Sequence, residues 1–152
     1  MPRAKCGCID TPEARAPQAL IHLGPTLFVN IGFDPSYSPQ QPGKVPRAAA
    51  QNIAALVDTG ATECCIDSSL ATQLGLPIVD KQTISGVHGP QSVDMHLAQI
   101  HVPSLNFTMW GRFAGVNLQE GGQVHRALMG RIFLIAFTMI YDGTTGDVTL
   151  LY

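Results

Sequence analysis

Apolar positions along the chain fall in short runs, broken by glycine, proline and small polar residues. That pattern predicts strands joined by turns, with no long amphipathic helix. Residues 20–33 read as β structure, with the better strand from Thr26 to Phe33. Asp34 to Pro46 holds four prolines and Gly43 and must be a loop. Asn52 to Asp58 is an apolar strand that ends on a carboxylate, and Glu63 to Asp67 is a short extended piece. Asp67 or Ser68 then caps a helix over Ser69 to Leu74, which Gly75 and Pro77 end. Gln82 to Val93 predicts a hairpin with its tip near Gly86 to Gly89, leading into a strand over Val93 to Val102 covered on both sides. Further strands are expected over Leu105 to Phe113, Phe137 to Tyr141 and Asp147 to Tyr152. Gly115 to Gly122 is a loop, and Arg131 to Leu134, after Ala127-Leu128-Met129-Gly130, can turn helical. Residues 1–19, with Pro2, Pro12 and Pro17 among small and charged residues, are expected as a flexible N-terminal arm before one domain over 20–152.

Composition narrows the class. Of 152 residues, 45% are hydrophobic and 13% charged, which fits a globular chain with a large apolar interior and excludes a disordered one. A net charge of −2 leaves no basic footprint for nucleic acid. No apolar run reaches a membrane span, and no apolar stretch follows the basic residues at the N-terminus, so a cytoplasmic protein without a membrane partner is expected. The cysteines, Cys6/Cys8 and Cys64/Cys65, lack zinc-site spacing and read as reduced structural thiols.

The chemistry concentrates at Ala55-Leu56-Val57-Asp58-Thr59-Gly60-Ala61-Thr62. A buried strand delivers one carboxylate into a Thr-Gly turn. Such a carboxylate is costly unless hydrogen bonds reach it, and Thr59 and the amides beyond Gly60 can supply them. His88, in the hairpin tip, is an exposed loop histidine on the plainest reading.

Asp58-Thr59-Gly60-Ala61-Thr62, the stretch Ile66 to Pro77, the glycine-rich Ile84 to Gln91, Leu128-Met129-Gly130-Arg131 and Tyr141-Asp142-Gly143 follow one another in the order of a known family. Over residues 26–152 the chain resembles the retropepsins, the single-lobe retroviral-type aspartic proteases, and is closest in pattern to their bacterial members. The resemblance implies an all-β, single-lobe barrel with one or two short helices and an active site at a homodimer interface. It also implies an aspartic endopeptidase acting on polypeptide, in which Asp58 and its symmetry mate share one proton and activate a water, without cofactor or metal. Thr59 matches the residue that bonds across the dyad, and Gly60, Ala61 and Thr62 complete the loop. Gly86, Val87, His88 and Gly89 match a flap tip over the substrate. Leu128, Met129, Gly130 and Arg131 match the segment packed beside the active-site loop.

Two positions depart from the family pattern. Thr62 stands where retroviral enzymes carry the acid that pairs with the arginine matched by Arg131, so that ion pair is not expected here. Ile132 stands where Asn or Asp is usual. These departures motivate an alternative, a catalytically weak or inactive dimer that serves as a peptide-binding or assembly module.

Overall fold

The structure is a computed structural model and describes residues 2–86, 88–120 and 122–152. Ten strands and three short α-helices follow in the order β1 (Arg3–Lys5), α1 (Ala16–Leu23), β2 (Thr26–Gly32), β3 (Ala50–Val57), β4 (Cys65–Asp67), α2 (Ser68–Gln73), β5 (Ile78–Gly86), β6 (Gly89–Val102), β7 (Phe107–Val116), β8 (Ala127–Met129), α3 (Arg131–Leu134), β9 (Thr138–Asp142) and β10 (Asp147–Leu151). Seven strands form one sheet in the order β2-β3-β8-β4-β7-β6-β5, which curls on itself because β2 also pairs with β6. The other three form a small sheet, β1-β10-β9. The expected all-β, single-lobe barrel is therefore observed.

The curled sheet encloses a core of Val29, Ile31, Ala55, Ile66, Ile100, Val102 and Met129, none of them measurably exposed. These residues alternate along their strands, so one face of each strand turns inward. β6 departs from simple alternation. Its C-terminal half, Ala98 to Val102, is buried throughout, as expected for a strand covered on both faces.

The polar loop between β2 and β3 is organised by the buried Asp34. Its carboxylate accepts hydrogen bonds from the amides of Arg47 and Ser36 and from the Ser36 hydroxyl. Those bonds, led by the Arg47 amide and the Ser36 hydroxyl, hold its pKa down at about 2. The loop is thus pinned at both ends by one side chain.

Two expectations are corrected. Residues 2–19, expected as part of a loose arm, are not one in the structure. Arg3–Lys5 pair antiparallel with β10, Ala4 and Cys6 are buried in the core, and Asp10 accepts a hydrogen bond from the amide of Ala16 at the start of α1. Pairing with a strand more than a hundred residues away decides this segment, so local composition does not reveal it. Residues 20–23 are helical, not extended. Pro17 sits in the first turn, where its missing N–H costs nothing, and Gly24 (φ +75°) ends the helix. This helix adds to the two that the sequence placed. β8, over Ala127–Met129, is a strand that the pattern did not assign, and the remaining differences are of boundary, with Leu105 in a 3-10 turn and β7 running on to Val116.

Candidate active site

Asp58 follows the last residue of β3. That strand lies between β2, antiparallel, and β8, parallel, with Ala55, Leu56 and Val57 opposite Ala127, Leu128 and Met129. Ala55 and Val57 are buried, which fixes the strand's rotation and leaves Asp58 half-buried at its end. The ladder continues one bond further, from the Asp58 amide to the Met129 carbonyl (3.0 Å). The chain then turns. The Ala61 amide donates to the Asp58 carbonyl (3.2 Å) and the Gly60 amide to Asp58 Oδ1 (2.8 Å). The donor to the carboxylate is therefore the amide of Gly60 itself, where Thr59 and the amides beyond Gly60 were expected. Thr59 is exposed at the crest of the turn.

The far side of this loop rests on the segment after β8. Gly130 is needed there for space. A Cβ at this position would lie 2.3 Å from the Glu63 carbonyl and 2.8 Å from that of Ala61, both rigid backbone. The first amides of α3 would otherwise lack partners. Arg131 N donates to the Ala61 carbonyl (2.8 Å) and Ile132 N to the Thr62 carbonyl (3.0 Å). The Arg131 guanidinium closes the arrangement, donating to the Thr59 carbonyl (2.7 Å) and to Thr62 Oγ1 (2.9 Å). The ion pair that Thr62 forecloses is thus replaced by a hydrogen bond to its hydroxyl, a contact the sequence reading did not foresee. Leu128 and Met129 lie in β8 beside this loop, half-buried and buried respectively.

Across from the loop stands the hairpin of β5 and β6. Its register pairs Gln82 with Val93, Ile84 with Gln91 and Gly86 with Gly89, which places the turn where the glycines predicted it. Gly89 has φ +95°, a conformation that glycine takes without strain. His88 is exposed in the turn. Val87, expected in the same tip, lies outside the described residues. Between loop and hairpin is a cleft of about 650 Å³. Gly60 to Cys65 form one wall and Gln82, Ile84 and Ser85 the other, over Met95 and Ala114. Burial, together with the neighbouring Cys64, Glu63 and Asp58, pushes the Cys65 thiol up to about 11. Burial also raises that of Cys64. Both remain neutral thiols at physiological pH.

A second polar centre, seen in sequence only as a helix cap, braces the same wall. Asp67, 1% exposed, ends β4. It accepts from Ser69 Oγ (2.5 Å), the amides of Leu70 (3.2 Å) and Leu118 (3.1 Å), and Arg126 (3.2 Å). Burial pushes its carboxyl up, but these four donors together outweigh it and hold the group below the usual carboxylate range. Arg126, which precedes β8, is thereby tied to the neighbouring strand β4.

The class defined by this fold and loop is that of the retroviral-type aspartic proteases. The chain belongs to that family: the model described as "gag-polyprotein putative aspartyl protease" matches residues 47–134, which include β3, the Asp58 loop, the hairpin and α3. Among solved structures, the simian foamy virus (mac) protease matches with 13% identity over 72% of this chain and 91% of its own, at a TM-score of 0.45. The EIAV protease, solved in complex with the inhibitor HBY-793, matches with 17% identity over 74% of this chain and 86% of its own, at a TM-score of 0.46. No curated protein sequence matches significantly. Among the described residues, no helix is long and apolar enough to cross a membrane.

Proposed function

We propose that the protein is an aspartic endopeptidase that works as a homodimer, with Asp58 of each subunit forming a carboxylate pair. The observation that carries this reading is the seat of Asp58. It is fixed at the end of a core strand by the Met129 carbonyl and the Gly60 amide, beside a cleft of about 650 Å³. Two carboxylates in close contact share one proton, since both cannot ionise easily. The ionised member takes a proton from a water, which attacks the peptide carbonyl, and the protonated member stabilises the oxyanion that forms. In this reading Thr59, exposed at the crest, bonds with its counterpart across the pair. The tip at Gly86, His88 and Gly89 acts as the flap, and an extended polypeptide adds as a strand between it and the loop.

Incubation of wild type and Asp58→Asn with a diverse peptide mixture from acid to neutral pH, read by mass, tests this. Wild type is expected to cleave, with the variant slower by roughly 10³-fold or more. Equal cleavage by both would remove Asp58 from the chemistry. The alternative of a non-cleaving peptide-binding or assembly module rests on Thr62 and Ile132. The bond from Arg131 to Thr62 restores the support whose expected loss motivated half of it.

A further inference from the structure

The sheet face that floors the cleft continues beyond it. Phe107, Met109 and Phe113, odd-numbered residues of β7, pack on the core, so the even-numbered ones take the opposite face. The register sets each of these beside a residue of β6 on that face. Met95 and Ala114 lie on the cleft floor. Leu97 with Arg112, Gln99 with Trp110 and His101 with Thr108 follow in turn. From Ala114 to Trp110 is four residues of strand, about 13 Å. At that far end lies a second pocket of about 270 Å³, between Tyr37 and Lys44 of the β2–β3 loop and His101, Thr108 and Trp110 of the sheet. Sites for whole small molecules begin at about 300 Å³, so this one has room for a side chain or two.

The chemistry of this pocket is one-sided. Among the described residues no acid lines it, in a chain of net charge −2. Asp34, the one acid of the loop, is buried and accepts three hydrogen bonds from the loop itself. Lys44 is exposed, and among the described residues its Nζ donates only to the Ser36 carbonyl (2.7 Å), so two of its three donors remain. His101 is 7% exposed, with Nδ1 2.8 Å from Thr108 Oγ1 and no partner for Nε2 among the described residues. Burial holds its pKa below normal, and a neutral ring whose Nδ1 accepts the Thr108 hydroxyl carries its proton on Nε2. Beside them Trp110, the only tryptophan in the chain, is 58% exposed.

We infer that this pocket docks an acidic side chain of a polypeptide whose neighbouring residues lie in the cleft. The carboxylate takes the Lys44 ammonium and the His101 Nε2–H, and its methylenes lie on the Trp110 indole. An amide would give the ammonium no opposite charge, and a basic side chain would repel it. About four extended residues span the distance from the cleft floor, so a segment held in the cleft reaches the pocket without folding back. The preferred substrates are then polypeptides with a glutamate or aspartate a few residues outside the stretch that the cleft holds. Only this choice of substrate rests on the proposed protease reading; the affinity of the pocket for a carboxylate does not.

Tryptophan fluorescence reports from this pocket alone, since Trp110 has no counterpart elsewhere in the chain. Asp58→Asn is titrated with the acetylated and amidated hexapeptide Gly-Ser-Glu-Glu-Ser-Gly, and with the same peptide carrying glutamine for both glutamates. A saturable change is expected with the first, and binding weaker by about 10-fold or more with the second. Adding Lys44→Glu, at an exposed position, is expected to weaken the glutamate peptide by a similar factor while leaving circular dichroism unchanged. Lys81→Glu makes the same charge change opposite Asp94, seven strand residues or about 23 Å from His101, and is expected to matter less than about 3-fold. With Asp58 intact, a cleaved peptide is then extended at either end by Gly-Ser-Glu-Glu. One extension is expected to lower KM about 10-fold at unchanged kcat, and Lys44→Glu to remove that gain while cleaving the unextended peptide as before. No fluorescence change, equal binding of the two hexapeptides, or binding that survives Lys44→Glu would overturn the inference. Binding without cleavage of any peptide would refute the protease reading and leave the pocket standing. Cleavage with a KM indifferent to both extensions would overturn the inference and leave the protease reading intact.

Discussion

The two walls of the cleft are built on different principles. The loop wall, Gly60 to Cys65 with Asp58 just before it, is clamped between β3 and the Gly130-Arg131 segment, with backbone partners for Asp58, Ala61 and Thr62 and a guanidinium across the top. The hairpin wall has almost nothing behind it. β5 is exposed at every position but Ile84, and the buried positions of β6 begin only at Val93. Reactive carboxylates must be held still, whereas a cover that admits a peptide must move. Elements that move are drawn from the least stable parts of a fold. The contrast is therefore the one expected if one wall does the chemistry and the other retains the substrate.

The sharpest way to break the contrast is Gly130→Ala. The added methyl meets two backbone carbonyls that cannot yield, so a stability loss of about 3 kcal/mol is expected in denaturant unfolding. A loss under about 1 kcal/mol would show that the loop wall is looser than its contacts imply. Acid should act on buried groups away from the Asp58 loop. His101 and His125 are buried, and burial holds their pKa values below normal. Their contribution to stability is complete above the unfolded value of about 6.5 and falls as pH drops below it toward their folded values. Asp67, also depressed, adds a second loss below about pH 4, the unfolded carboxylate value, as pH falls through its folded pKa. Thermal melts against pH should show both steps, and His101→Gln together with His125→Gln should flatten the first. A profile flat between pH 7 and 5 would contradict it.

A smaller effect is expected at Thr62→Val, which keeps the shape but removes the hydroxyl that Arg131 reaches. Loss of that bond should cost about 1 kcal/mol, and more activity than its stability effect explains, because the bond spans the Asp58 turn. The smallest is His88→Ala on the other wall. Its expected change in stability is within about 0.5 kcal/mol, with the change appearing in KM for peptide rather than in Tm. A large Tm change there would mean that the hairpin is braced after all.

The difference between the walls also explains what the sequence revealed. The hairpin, the turn after Asp58 and α2 were legible because glycine, proline and a capping aspartate mark them locally. The Asp58 seat was legible as a strand and turn. Its clamp was not, because the clamp consists of contacts between segments about seventy residues apart, and Thr62 read alone looked like a lost ion pair. For the same reason β1 was mistaken for a loose arm, since Arg3-Ala4-Lys5 has no strand pattern of its own and becomes one only against β10. In α1, Leu20 and Ile21 looked extended, while Pro17 was read as breaking structure when it begins a helix.

The ladder bond from Asp58 to Met129 has a consequence in time as well as space. The carboxylate is made long before the strand that positions it, and β8 must find β3 across the intervening hairpin. Contacts of such separation form slowly, after local turns and helices have settled. A growing chain would thus carry Asp58 through about seventy further residues of synthesis without a seat for it. The seat is complete only when β8 docks, so a half-made chain holds the Asp58 carboxylate in no fixed place.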